Sequence, residues 1–183
     1  MENSEIQLQA RKLVVDLDEA WARDHEYNLN KLKKYPTGEA ILKATPEIQI
    51  AVARRILDVV GEFVERGKRK GEKNWFTLAR FPWGCVYLQS SLLKKKLPFT
   101  TEDFEHMFGT LRKIGIISAS QFDFIGSLVG ALERHAEGHE LSPQLRKDVG
   151  GFSEMLLGRQ PDASDRKAGE RLRRLLDGML DLN

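Results

Sequence analysis

Residues 45–67 read TPEIQIAVARRILDVVGEFVERG and carry the clearest helical pattern of the chain. Thr45 can accept a hydrogen bond from an unpaired backbone N–H, Pro46 suits the first helical position, and Glu47 complements the positive end of the helix dipole. Apolar residues then recur at steps of three and four, at Ile48, Val52, Ile56, Val59 and Phe63, and Leu57, Val60 and Val64 widen this face. Gly67 is predicted to end the helix. A face this wide predicts packing against more than one neighbouring helix.

Helical spacing of apolar residues continues on both sides of this segment, and no segment alternates in the manner of a β-strand. The fold is therefore predicted to be all-α, with seven to eight short helices. Between residues 27 and 44 Pro36 and Gly38 interrupt a polar stretch, which predicts a helix remnant and a loop with a short turn. Thr101 is predicted to cap a later helix. The predicted core residues outside 45–67 are Ile6, Ala10, Leu13, Leu17, Trp21, Phe104, Phe108, Leu111, Ile125, Leu128, Val129, Leu132, Leu145, Val149, Phe152, Leu156, Ala168, Leu172, Leu175, Leu176 and Met179.

Three predicted helices open with similar phrases, ATPEI, FTTED and LSPQL. Helix starts near residues 46, 84, 120 and 164 are about 36 to 44 residues apart, close to the ~40 to 47 residues of a two-helix solenoid repeat. Intervening helices start near residues 102 and 143. In helix length and rhythm the segment from Thr45 to Asn183 resembles the armadillo and HEAT-type helical repeats, which implies stacked helices. Short capped helices also build orthogonal bundles, so both architectures stay open.

Length and composition predict one folded domain over residues 1–183, either a whole protein or the N-terminal part of a longer one. Hydrophobic residues make up 41% and charged residues 31% of the 183 residues, which are globular values. Cys85 is the only cysteine, so the chain has no intramolecular disulfide and no zinc site with two of its own thiolates. The N-terminus lacks a secretory signal pattern and no apolar run is long enough for a membrane span. These features predict a cytoplasmic protein without a membrane partner.

Motifs of catalysis and of cofactor binding are missing from the sequence. It contains no G-x-S-x-G, no H-E-x-x-H, no dinucleotide-binding G-x-G-x-x-G and no phosphate-binding loop, so no cofactor is predicted. His135 and His139 have a helical metal-ligand spacing, but Gly138 is expected to end the helix between them. No metal site is predicted, because three ligands with supporting residues are not visible.

Two further patterns have a structural and a functional interpretation. Cys85 follows Gly84 near a predicted helix start, where the dipole would favour a thiolate, in a manner faintly similar to papain-like peptidases. A lone cysteine among aromatic residues is more often a small buried apolar group.

Gly126 and Gly130 form a G-x-x-x-G pair, for which we predict close helix approach inside the core.

Residues 64–99 concentrate positive charge and aromatic rings. They hold nine cations and two anions, a net charge of +7, so the rest of this +2 chain has a net charge of −5. They also hold six of the fifteen aromatic residues. The candidate binding residues are Arg66, Lys68, Arg69, Lys70, Lys73, Trp75, Arg80, Lys94, Lys95 and Lys96. Cations interleaved with aromatic rings suit a nucleic acid, because Lys and Arg displace counterions from the phosphates and the rings stack on the bases. Basic helix ends also interact with the helix dipole, and we interpret Lys94, Lys95 and Lys96 in this way.

These patterns favour a non-enzymatic α-helical interaction or scaffold domain that binds another protein. The first alternative is a nucleic-acid-binding module that uses the basic and aromatic window. The second is a cysteine-dependent enzyme at Cys85. The sequence leaves open the identity of the partner, the oligomeric state, and whether the basic clusters 66–73 and 94–96 form one surface.

Overall fold

The structure is a computed structural model that describes residues 3–24, 36–69, 83–115, 124–158 and 163–178. These residues form eight α-helices and no strand, so the all-α prediction is confirmed for the described part of the chain. The helices are α1 (Asn3–Asp24), α2 (Pro36–Lys43), α3 (Pro46–Arg69), α4 (Trp83–Lys94), α5 (Thr101–Ile114), α6 (Phe124–Ala136), α7 (Pro143–Leu157) and α8 (Ala163–Leu176). Their packing is consistent with a helical bundle or a stack, and the HEAT-like arrangement stays a prediction.

Contacts divide the chain into two compact units, Met1–Leu97 and Pro98–Asn183. In the first unit α3 packs against α1, α2 and α4, and α1 packs against α2 and α4. The wide apolar face predicted for α3 therefore meets three neighbours. In the second unit α7 packs against α5 and α8, and α6 packs against α8. The organisation of residues 1–183 as one domain stays a prediction.

The predicted apolar stripes supply most of the core. In the first unit fully buried side chains include Ala10 and Leu17 of α1, Ile56 of α3 and Leu92 of α4. The predicted core residues of α5, α6 and α7 are all buried, as are Ala168, Leu172 and Leu175 of α8. The spacing of three and four residues was a reliable guide here because each stripe faces the interior of its own unit. Trp21 and Met179 are predicted core residues whose side chains lie outside the described part.

Three predicted boundaries are wrong, each for a local reason. Pro36 begins α2 and Gly38 is buried within it, since a proline is compatible with the first turn of a helix. Gly67 is buried inside α3, which continues to Arg69. The cap of α5 is Thr100 and not Thr101: its side chain accepts a bond from the Asp103 backbone N–H, and the Asp103 carboxylate accepts one from the Thr100 N–H at 2.8 Å.

Candidate functional site

The candidate basic site falls partly outside the described residues. Lys70, Lys73, Trp75 and Arg80 are not described, and of Lys68 and Arg69 only the helical backbone is described, in the last turn of α3. Arg66 is exposed, and its Nε donates a hydrogen bond to the backbone oxygen of Glu62 over 3.3 Å. Whether these residues bind a partner stays a prediction.

Lys95, in the second basic cluster, makes two hydrogen bonds within the chain. Its Nζ donates to the carbonyl oxygen of Leu42 over 2.9 Å and to Oε1 of Gln49 over 3.0 Å. Gln49 is itself buried, and its Nε2 donates to the carbonyl oxygens of Leu42 at 3.1 Å and Ala44 at 2.7 Å. Together they satisfy carbonyl groups that the end of α2 leaves without helical partners. Lys94 and Lys96, on either side of Lys95, are exposed.

Arg66 of the first basic cluster and Lys95 of the second lie near opposite ends of α3. Lys95 bonds Gln49, in the first turn of that helix, whereas Arg66 lies in its last turns. At 1.5 Å per residue, the rise from Gln49 to Arg66 is about 25 Å. Arg66 and Lys95 therefore do not belong to one compact surface.

Cys85 lies in the first turn of α4 and is 0% exposed. Its Sγ is 3.9 Å from the carbonyl oxygen of Val14 on α1. Burial, with a smaller contribution from the negative charge of Asp18, raises the pKa of the Cys85 thiol. A nucleophilic cysteine needs a lowered pKa, so the environment acts against the dipole effect expected from the helix start.

His135 and His139 stack face to face at the end of α6, with ring centroids 4.4 Å apart and planes 2° from parallel. His139 lies beyond the helix, as predicted, and its Nδ1 bonds the carbonyl oxygen of His135 over 3.1 Å. His135 is buried, and its Nε2 is 3.0 Å from the hydroxyl of Thr101. Burial, and then the charge of His139, lower the pKa of His135. Within the described ranges, no three His, Cys, Asp or Glu side chains group in a way that could hold a metal ion.

The G-x-x-x-G pair does not mediate close packing. A Cβ placed on Gly126 would meet nothing within 4 Å, and one on Gly130 would meet only the guanidinium groups of Arg134 and Arg171 at 3.6 Å. The prediction of close helix approach in the core at these glycines is therefore wrong. Close approach occurs instead between α7 and α8, where a Cβ on Gly169 would lie 2.8 Å from Cγ of Leu157.

Two exposed apolar side chains on α1 were missed at the level of sequence. Leu8 is 70% exposed and Val15 is 48% exposed, and they are the large hydrophobic residues that the described part leaves exposed. They lie seven residues apart, so they share one face of the helix. The signal was present, because both fall outside the apolar stripe that contains Ala10 and Leu17.

Among the described residues, no helix combines the length and the apolar character that crossing a bilayer requires. Comparisons with protein-family models, with curated proteins and with solved structures find no match to this chain.

Proposed function

We propose that the chain is a non-enzymatic α-helical interaction domain that binds another protein through the outer face of α1. The observation that carries the proposal is the exposure of Leu8 and Val15 on that face. Full burial of an exposed leucine or valine contributes a favourable free energy of roughly 1.5–3 kcal/mol. Removal of both side chains from water would therefore stabilise a complex in which a partner covers them. Single exposed apolar residues are common on protein surfaces, and it is the shared face that supports a binding surface.

The environment of this face also supports protein binding. Arg11, Lys12 and Glu19 are exposed beside the two apolar residues. Lys12 lies between Leu8 and Val15 along this face and Glu19 follows Val15, so a partner would meet apolar and charged side chains together, and protein–protein interfaces combine both kinds. We further propose a cytoplasmic location, which the free thiol of Cys85 supports because reducing compartments preserve free thiols.

A tagged chain recovered from its native cells tests the proposal. We expect a co-purified protein that is lost when Leu8→Asp and Val15→Asp are combined. The matched control is Gln9→Asp, which adds a negative charge at an exposed position of α1 to the side of the apolar pair. A partner retained by the double variant, or no partner at all, would overturn the proposal.

Nucleic-acid binding by the basic window stays the alternative proposal. Lys95 makes hydrogen bonds to Leu42 and Gln49, and Arg66 lies near the other end of α3. We therefore expect no binding to single- or double-stranded DNA or RNA at low salt, where attraction between charges is strongest. Binding that weakens steeply with salt, and that drops when Lys68, Arg69, Lys70 and Lys73 are changed to glutamine, would make nucleic acid the leading partner class.

A further inference from the structure

Two arginines from different helices meet over Gly130 at the surface of α6. A Cβ placed on Gly130 would lie 3.6 Å from Nη1 of Arg134, one turn later on α6, and 3.6 Å from Nη2 of Arg171 on α8. These two nitrogens are therefore at most 7.2 Å apart, since both lie 3.6 Å from the same point. Because glycine has no side chain, residue 130 itself leaves the space between the two guanidinium groups unfilled.

Glu133 orients the guanidinium group of Arg171. Nε of Arg171 donates to Oε1 of Glu133 over 2.9 Å, and Nη2 donates to Oε2. The two side chains are 28% and 29% exposed. This ion pair uses two of the five N–H donors of Arg171, and the other three belong to Nη1 and Nη2. A guanidinium group that is already oriented loses less entropy when it binds an oxyanion.

Positive charge predominates immediately around Gly130. Lys167 lies one turn before Arg171 on the same side of α8 and is exposed. Arg134 is exposed as well, and it also interacts within its own chain. The surroundings of this point thus carry three positive charges against the one carboxylate of Glu133. Such a point attracts a compact anion.

Charges farther out restrict the kind of anion. Glu137 follows Arg134 just beyond the end of α6 and is exposed. On α8, Glu170 and Arg174 lie on either side of Arg171, and both are exposed. A nucleic-acid strand binds through many cations along its length, and here it would also meet the two exposed carboxylates. A single phosphate group keeps its charge between the guanidinium groups, and Arg binds phosphate through paired N–H donors.

We propose that the two guanidinium groups over Gly130 bind a single phosphate group. Charge-assisted N–H···O bonds are about 2.8 Å long, so two oxygens of one phosphate reach both Arg134 and Arg171 across a gap of at most 7.2 Å. The ligand is free phosphate or a phosphate monoester of a small molecule, which share these terminal oxygens. This site belongs to the second unit and uses no residue of α1, so it and the proposed function can fail separately.

A titration of the full chain with inorganic phosphate at constant ionic strength and neutral pH, followed by NMR, tests the proposal. We expect saturable shifts of the backbone N–H of Gly130 and of the Nε–H of Arg171. Arg134→Gln removes one guanidinium group at an exposed position and should weaken binding at least about tenfold. Lys147→Gln is the matched control, because it removes one charge at an exposed position of α7, and it should leave the affinity unchanged.

Two glycine changes on α6 test the open space itself. Gly130→Ala places a methyl group 3.6 Å from both guanidinium groups, an ordinary contact distance, so the fold is kept while the space between them is filled. This change should weaken phosphate binding. Gly126→Ala, where a Cβ would meet nothing within 4 Å, should leave binding unchanged. Circular dichroism checks that both variants keep their helix content.

The outcomes separate a compact site from a diffuse effect of charge. Saturable shifts at Gly130 that Arg134→Gln and Gly130→Ala both weaken support the proposal. It is overturned if Gly130 does not shift, if either of these variants leaves the affinity unchanged, or if Lys147→Gln weakens binding equally. A single-stranded oligonucleotide that shifts Gly130 when inorganic phosphate does not would overturn it in favour of nucleic acid. Tighter binding of glycerol phosphate than of inorganic phosphate would assign the site to a monoester, and the reverse order to free phosphate.

Discussion

The ammonium group of Lys95 donates a hydrogen bond to the carbonyl oxygen of Leu42, the next-to-last residue of α2, over 2.9 Å. The two residues are 53 positions apart in the chain. A basic residue that follows α4 thus caps the carbonyl end of a different helix, and the buried amide of Gln49 shares this role. Within the triple-lysine stretch, Lys95 is a structural residue.

The first prediction concerns this capping bond. Changing Lys95 to methionine removes both hydrogen bonds while keeping an unbranched side chain of similar length. Because the Leu42 carbonyl loses a charged donor, the free energy of unfolding should fall by about 1–2 kcal/mol. Lys96→Met is the matched control at an exposed neighbour and should change stability by less than about 0.5 kcal/mol. Urea denaturation measures both, and equal effects would contradict the structural role of Lys95.

The second prediction concerns the pH dependence that His135 introduces. Its pKa is lower in the folded chain than the ordinary value of 6.5, because of burial and then the charge of His139, with Asp103 and a backbone bond to Phe99 acting in the opposite direction. The unfolded chain therefore takes up the proton first as the pH falls. The contribution to stability is complete above pH 6.5 and is lost as the pH falls through the lowered pKa of the folded state.

Unfolding midpoints measured from pH 7.5 down to pH 5 test this dependence. His135→Gln should flatten the loss of stability below pH 6.5, because the side chain no longer titrates. His139→Gln removes only the contribution of the neighbouring charge and should reduce the slope by a smaller amount. A slope that His135→Gln leaves unchanged would show that other groups cause it.

The third prediction compares two glycines. Gly169→Ala places a methyl group 2.8 Å from Cγ of Leu157, at a point where Ser153 already donates to the Gly169 carbonyl oxygen over 2.8 Å. The α7–α8 contact must shift, and we expect a loss of about 1–3 kcal/mol. Gly126→Ala meets no atom within 4 Å and should stabilise α6 by about 0.5–1 kcal/mol through helix propensity. The sign of the change in urea midpoint distinguishes the two, and a stabilised Gly169→Ala would refute the close contact.

The fourth prediction concerns the reactivity of Cys85. The thiol is fully buried and burial raises its pKa, so the thiolate is scarce and inaccessible in the folded chain. A thiol-specific alkylating reagent at neutral pH should modify native Cys85 at least about a hundredfold more slowly than Cys85 in the urea-unfolded chain. A small unstructured thiol peptide controls for the reagent in urea. Modification of Cys85 in the folded chain at the rate of the peptide or faster would support a nucleophilic role for this thiol.

Much of the fold could be predicted from the sequence because helices are specified locally. The starts expected near residues 46, 84, 102, 143 and 164 differ from the observed starts by at most one residue, and the start expected near 120 is observed at Phe124. Apolar spacing, a proline in the first turn and a capping hydroxyl act within a few residues. The errors at Pro36 and Gly67 arose where residues that often end helices are accommodated inside them.

The candidate site could be predicted less well. The sequence shows which residues are cations, but where their side chains lie in the fold depends on contacts between distant segments. The sequence did not indicate that Lys95 bonds the end of α2, or that Gly126 and Gly130 face away from close contacts. Leu8 and Val15 fall outside the apolar stripe of α1 in the sequence, and the structure shows that burial of the opposite face leaves both exposed.

By itself the sequence determined an all-α chain, its apolar stripes and most of its helix starts, since periodicity and capping are short-range properties. Only the tertiary structure decided which charged and apolar side chains remain at the surface. Burial of Cys85 agrees with the structural interpretation of this residue and raises the pKa of its thiol, packing places Lys95 against Leu42, and the core contacts of α1 leave Leu8 exposed. The physical reason is that burial and hydrogen bonding between residues far apart in the chain exist only after the helices have packed.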